Sequence, residues 1–307
     1  MRLVRFNRNV EAPVLARLGV VLASDIVVDL RAGYAFFLQH AGDRCAVEIA
    51  AARVPKTIAA LVGSACLDGP ELRDVVRWLD DRAQTDPAVQ GVHGETLFTP
   101  LADCRLHAPV RMTNLIVAHD NYGSASGVPT FTMKPSVAVV GPSRDIRMPR
   151  GFEQLQCEAG LAVVIGTACR DISEKEVAGA ICGYFVMTNV CTSRAGEDPR
   201  AFQSLMYESF APSGPWLTTS EDIPDASDLR IEMTVNGDVR RLFSTASMTW
   251  SVERMIAFLS RMSLQPGDVI WTGGLSPGQE EPRVRAGDVV ASTVQRVGGI
   301  RNRVVPQ

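Results

Sequence analysis

The sequence predicts an α/β fold of the α+β kind, with a small N-terminal α+β domain over residues 1–105 and a larger strand-rich domain over 110–307. Three observations predict it. Within the first third of the chain the apolar spacing changes from alternation to a helical period. An irregular stretch from Ala88 to about Val110, with Pro100 and Pro109, then separates two patterns. After Arg111, short buried apolar runs alternate with Gly, Asn-Gly and Pro-Gly-Asp turns.

The elements follow in order. Leu3–Val4, Arg17–Ala23 and Ile26–Leu30 alternate apolar and polar side chains and are expected to be strands. Ala32–His40, Ala46–Ala52, Thr57–Val62 and Leu72–Ala83 carry apolar residues at helical spacing. Pro70 suits the start of the last helix, where its missing N–H is not needed, and Asp86-Pro87 ends it. Asn114–Ala118, Leu161–Ile165 and Tyr184–Val190 are expected as short buried strands. Leu229–Val235 and Asp238–Ser244 flank Asn236-Gly237 and form a hairpin, because both turn positions need φ > 0. Ser251–Met262 is an amphipathic helix with Ser251 as N-cap and Glu253 in its first turn. Gln265-Pro266-Gly267-Asp268 and Ala286-Gly287-Asp288 are turns feeding strands Val269–Thr272 and Val289–Val294.

Composition bounds the function. The chain of 307 residues is 46% hydrophobic and 21% charged, as in ordinary globular proteins. It is long enough to bury a core without disulfides or a structural metal. With 31 basic and 34 acidic residues and a net charge of −3, it has no charge block that favours nucleic acid or an anionic membrane. The opening MRLVRFNRNV lacks the apolar run of a signal peptide, and no stretch reaches the roughly 18–20 apolar residues of a spanning helix. The expected location is therefore cytoplasmic, and the expected partner a small-molecule substrate. The 7 cysteines are dispersed, odd in number and without C-x-x-C spacing, which argues against a disulfide framework or zinc ribbon.

Several motifs fall in a fixed order: FTMKPSVAVVGP (Phe131–Pro142), GLAVVIG (Gly160–Gly166), GYFVMTNV (Gly183–Val190), APSGPWLTT (Ala211–Thr219), VNGDVRR (Val235–Arg241), LSRMSLQPGDVIWTGG (Leu259–Gly274) and RAGDVV (Arg285–Val290). Each is weak alone; together they resemble the fumarylacetoacetate hydrolase family, from Asn114 to the C-terminus. The opening MRLVRF and RLGVVLASDIVVDL are similar to the N-terminal domain of many members. The resemblance implies a mixed β-roll core carrying the active site, a smaller N-terminal domain and a homodimer. It also implies Mg²⁺, Mn²⁺ or Ca²⁺, which anchors a 1,3-dicarbonyl or 2-keto acid as its enolate during bond cleavage, decarboxylation, hydration or tautomerisation.

The family's metal device is E-x-E on a strand, where residues two apart face one side. Here that stretch is Glu158-Ala159-Gly160, so the first carboxylate is present and the second is lost. A further family Asp corresponds to Asn189, and a D-x-Y arrangement is matched by Asp120-Asn121-Tyr122. The surviving ligand set implied by the resemblance is Asp120, Glu158 and Asn189. Attraction for a divalent ion scales with ligand charge. The expectation is weak Mg²⁺ or Mn²⁺ binding, or no cofactor.

The family's water-activating His has no counterpart in Tyr122-Gly123-Ser124-Ala125-Ser126-Gly127, which holds no group that titrates near neutrality. A family Lys is missing from Leu205-Met206-Tyr207-Glu208-Ser209-Phe210, and the final T-G-T-P loop is Thr272-Gly273-Gly274-Leu275. His119, Tyr122, Lys134 and Glu208 remain as catalytic candidates, and Arg194 also survives. Tyr122, Lys134, Tyr207, Thr272 and Gly273 remain as substrate-binding candidates. Lys134 and Tyr122 are expected to hold an enolate oxygen, His119 or Glu208 to move a proton, and the small residues 123–127 to form a lid. Each also has a structural reading: a surface lysine, a core aromatic, a strand-end histidine. Three functions stay open on these residues. They are an enzyme of non-hydrolytic enolate chemistry (decarboxylation, tautomerisation, carbon–carbon bond formation or cyclisation), a carbon–carbon hydrolase acting on an acylpyruvate-like substrate, and a non-catalytic relative that binds a small acid or a partner.

Overall fold

The computed structural model describes residues 1–9, 16–62, 70–122, 130–192, 206–274 and 282–307. The N-terminal third gives β1 (Arg2–Arg8), β2 (Arg17–Val21) and β3 (Ile26–Asp29), then α1 (Leu30–His40), α2 (Ala46–Arg53), α3 (Ile58–Val62) and α4 (Pro70–Thr85), then β4 (Phe98–Pro100) and β5 (Cys104–His107). The helices fall where the apolar spacing puts them. Asp29 caps α1 by accepting from the Ala32 N–H at 3.1 Å. β4 and β5 lie inside the stretch that reads as irregular. Proline at the end of β4 and the short length of both strands hide them from a pattern search.

The remainder is β6 (Leu115–His119), β7 (Thr130–Lys134), β8 (Val139–Val140), β9 (Ile146–Met148), β10 (Leu155–Ile165), β11 (Ile181–Cys191), β12 (Ala211–Thr219), β13 (Arg230–Val235), β14 (Asp238–Ser244), α5 (Val252–Leu259), β15 (Val269–Trp271), β16 (Arg283–Val284), β17 (Val289–Val294) and β18 (Gly298–Pro306). Asn236 (φ 55°) and Gly237 (φ 93°) both take the left-handed turn geometry between β13 and β14. Ser251 caps α5, its Oγ accepting from the Arg254 N–H at 3.2 Å.

Two sheets organise the chain. The larger runs β4-β3-β2-β1-β12-β11-β10-β15-β6-β7, and the smaller β14-β13-β17-β18-β9. The large sheet crosses the expected domain division: β1 pairs antiparallel with β12 (Leu3↔Leu217), while β5 pairs back onto β1. The N-terminal strands thus extend the core sheet, with the helices packed beside them.

The smaller sheet covers one face of the larger. Thr188 on β11 and Ser292 on β17, both buried, share a hydrogen bond of 2.7 Å across that interface. The other face of the large sheet curls inward. The chain leaves β7 at one edge and returns as β8, which pairs in parallel with β12 five strands back along the order. This closure makes a roll, and the roll's inner face carries the polar groups considered next. No helix of the described residues is long and apolar enough to cross a membrane.

Candidate active site

Register decides which side chains share the inner face. Residues directly opposite in a sheet point the same way, and residues two apart repeat the direction. β10 and β11 pair Glu158↔Asn189 and Gln156↔Cys191. β10 and β15 pair Ala162↔Trp271, β15 and β6 pair Trp271↔Val117, and β6 and β7 pair Leu115↔Lys134 and His119↔Thr130. Following the parity across these strands, His119, Lys134, Glu158, Gly160, Asn189, Cys191 and Trp271 occupy one face. The structure therefore brings together four of the residues singled out in the sequence: His119, Lys134, Glu158 and Asn189.

Lys134 is the most unexpected of them. It is not a surface lysine: it is 3% exposed, and its Nζ donates to the main-chain oxygens of Val190 and Phe210, both at 2.7 Å. These bonds tie β7 across the roll to β11 and to the residue preceding β12. Burial lowers its pKa from 10.5 to about 7, against the opposing pull of Cys191, Glu158 and Cys157. A neutral amine has two N–H groups, and both carbonyl bonds can be kept when the third proton leaves.

His119 is held neutral. Burial lowers its pKa to about 4, although Asp120 raises it, and its Nε2 lies 2.7 Å from Thr132 Oγ1. It carries no proton to donate as an imidazolium near neutrality. Asp120 sits at the end of β6 with φ 57°.

Asn189 is 2% exposed, and its Nδ2 donates to Glu158 Oε2 at 3.1 Å. Its Oδ1 is buried and has no hydrogen-bond partner among the described residues. Glu158 is pressed from above by the main chain of Gly274, where a Cβ would stand 2.8 Å from the carboxyl carbon. Gly160 has no room for any side chain: a Cβ there would lie 2.4 Å from Trp271 Nε1, 2.7 Å from its Cε2 and 2.8 Å from Gly273 O. The second carboxylate's ground is thus filled by an indole, whose N–H donates to Met187 O at 3.3 Å.

This donor set does not fit a divalent oxygen-seeking cation. It offers one carboxylate and one amide, with the amide's N–H₂ end turned to that carboxylate. A lysine amine shares the face. Among the described residues no three His, Cys, Asp or Glu side chains converge on one point. Such ions take six or more oxygens, water among them, and a single carboxylate leaves little charge to hold them.

The other candidates stand elsewhere. Tyr122, 3% exposed, packs edge-on against Phe243 of the second sheet at 5.0 Å. Its hydroxyl lies 3.3 Å from Thr272 Oγ1, and burial raises its pKa. It is a core residue beside the site rather than a donor on the inner face. Thr272 is fully buried, its Oγ1 donating to Leu161 O at 3.1 Å, and Gly273 (φ 103°) turns the chain against Asn121 Cβ. Glu208 is turned outward: its side chain is 54% exposed and meets Arg147 Nε at 3.8 Å. Exposure removes the reason for pairing it with Lys134 as a proton carrier. The Tyr207 ring meets Phe210 at a tilt (5.3 Å) and Phe152 edge-on (6.0 Å). The lid expected over 123–127, Arg194, Leu205 and Leu275 lie outside the described residues.

Asn121 went unnoticed in the sequence, between two matched residues. It is fully buried; its Nδ2 donates to Trp250 O (3.0 Å) and Thr272 O (2.9 Å), and its Oδ1 accepts from Trp250 N (2.9 Å). It clamps the end of β6 to the start of α5 and to the loop after β15. Trp271 was also missed. It is opposite Ala162 in register, and only its close approach to the neighbouring Gly160 marks it, a relation that is not written in a single sequence.

Residues 111–305 match the family model described as the fumarylacetoacetate (FAA) hydrolase C-terminal domain. A 2,4-didehydro-3-deoxy-L-rhamnonate hydrolase of Sphingomonas sp. (strain SKA58) is 30% identical over 235 residues, 71% of this chain and 82% of that protein. A mitochondrial oxaloacetate tautomerase of Xenopus laevis is 34% identical over 185 residues, 58% of each chain. Among solved structures, the maleylpyruvate hydrolase of Sphingobium sp. SYK-6 in complex with manganese(II) and pyruvate is 26% identical with a TM-score of 0.72, covering 100% of this chain and 99% of that one.

Proposed function

This chain belongs to the fumarylacetoacetate hydrolase family, and from that premise we propose that it acts on an enolisable 1,3-dicarbonyl or 2-keto acid by non-hydrolytic enolate chemistry, without a divalent cation. The family's characterised relatives are small-molecule enzymes, hydrolases and a tautomerase among them. The observation that carries the finer reading is Lys134, a buried amine on the inner face beside Glu158 and Asn189.

The chemistry needs one proton carrier. Lys134 as the neutral amine takes the acidic C–H proton next to the substrate carbonyl; the C–H electron pair becomes the enolate. The ammonium so formed stays beside the enolate and balances its charge. Return of a proton to carbon gives exchange or tautomerisation, and attack of the enolate carbon on an electrophile gives carbon–carbon bond formation or ring closure. In decarboxylation the C–CO₂ bond takes the place of the C–H bond, its electron pair passing into the neighbouring carbonyl as CO₂ leaves, and the ammonium form of Lys134 then protonates the enolate carbon. Asn189 Oδ1, an acceptor without a partner among the described residues, receives the hydroxyl of the enol form. His119, neutral, orders the floor of the face through Thr132. The Lys134 amine is assigned to the C–H proton, and no described residue is assigned to the activation of water.

The test is proton NMR of an acylpyruvate with the enzyme in heavy water, run beside a hydrolysis assay on the same compound. The expected result is deuterium uptake at the carbon between the carbonyls, with no cleavage products. Rapid hydrolysis would replace this reading with a carbon–carbon hydrolase. Neither reaction on any dicarbonyl tried would favour a binding protein. A homodimer forms part of the same reading. Light scattering at micromolar concentration should give twice the 33.2 kDa of one chain, and the monomer mass would remove it.

A further inference from the structure

We infer that Trp271 is the residue that decides the cation requirement of this chain: its indole stands where the second carboxylate of a metal-binding pair would stand. The inference deepens the cation-free half of the proposed function. Its tests are read by melting and by ion binding, so their failure leaves the enolate chemistry to be judged on exchange alone.

The geometry is specific. Gly160 lies two residues from Glu158 on β10, so a side chain at 160 would project beside the Glu158 carboxylate. The first atom of that side chain would already overlap the indole edge, at 2.4 Å from Nε1 and 2.7 Å from Cε2. Real Cβ atoms do not come so close, and the ring cannot step aside. Trp271 is fully buried in the core, and its Nε1 is bound to Met187 O. The lesser obstacle is the Gly273 carbonyl, at 2.8 Å, on the loop that follows. Loss of the carboxylate and gain of the ring are one packing solution. Restoring the acid alone cannot rebuild an ion site.

Two experiments on the full chain decide it. The first is a cycle of melting temperatures with Gly160→Ala and Trp271→Leu, leucine having no atom where Nε1 and Cε2 lie. Gly160→Ala should lower the melting temperature by several degrees in the native background and by less than half as much in the Trp271→Leu background. Equal losses in both would overturn the inference. Should Trp271→Leu fail to fold, Gly160→Ala and Gly160→Ser in the native background still decide. Each must melt well below the wild type, and either one melting at the wild-type temperature would overturn the inference.

The second experiment follows the free Mn²⁺ signal by electron paramagnetic resonance. The wild type should leave Mn²⁺ free at micromolar concentrations. Gly160→Glu with Asn189→Asp should either leave it free or fail to fold, because the indole remains. Adding Trp271→Leu to that pair should remove about one Mn²⁺ per chain from solution. Tight binding by the wild type, or by the pair with Trp271 in place, would contradict the inference. So would a folded triple variant that leaves the ion free.

Discussion

Lys134→Met is expected to abolish proton exchange, by roughly 10²-fold or more, the usual contribution of a positioned acid–base group. Lys134→Arg separates two roles. Arginine stays charged at all working pH and can face an enolate, but it cannot take a proton from carbon. If the amine is the base, both variants lose exchange alike. Exchange retained by Lys134→Arg within tenfold would reduce Lys134 to a fixed cation. The wild-type rate should rise with pH and level off above about 7, the value to which burial lowers the group.

Stability carries the same signature. The folded pKa, about 7, lies below the ordinary 10.5, so between these values the unfolded chain binds more protons than the folded one. Stability from this group therefore increases as pH rises through that window. Below about 7 both states are protonated and the cost of burying the charge is complete. In Lys134→Met the increase should be absent. Other groups contribute to the pH dependence, so the comparison is the difference between wild type and variant.

Asn121→Ala is expected to cost the fold about 3–5 kcal/mol, since each stranded buried polar group costs roughly 1–3 kcal/mol. It would remove the Asn121 acceptor from the Trp250 N–H and the donor to two main-chain oxygens, Trp250 O and Thr272 O. Urea unfolding followed by circular dichroism measures it. A loss below about 1 kcal/mol would mean that water or a local shift replaces the clamp. Asn121→Asp should not rescue it, because a carboxylate oxygen would face both carbonyls.

The fold was legible where the signal was local. Asn236-Gly237 forces a turn whatever surrounds it, and Ser251 caps α5 from its own side chain. β10 was only half legible. Leu161–Ile165 is uniformly apolar, but the strand begins at Leu155, and Gln156, Glu158 and Gly160 interrupt the pattern there. Those interruptions lie on the inner face of the roll, where polar groups are tolerated because they meet one another. Lys134 was legible as a residue of interest but not as an interior one. Its position depends on pairing with Leu115 and on closure of the roll, both long-range facts. Trp271 was illegible for the same reason: its meaning comes from Gly160, on a neighbouring strand. Glu208 read as a proton carrier because it is the carboxylate in the stretch where the family Lys is missing; the structure turns it out to Arg147.

Enolate chemistry on this inner face is proposed to need no divalent ion. It is tested most directly by deuterium uptake into an acylpyruvate catalysed by protein exhaustively treated with chelator. The expected exchange rate is unchanged by the chelator and unchanged when millimolar Mn²⁺ or Mg²⁺ is returned in excess. Exchange that vanishes with the chelator and returns in proportion to added Mn²⁺ would contradict it.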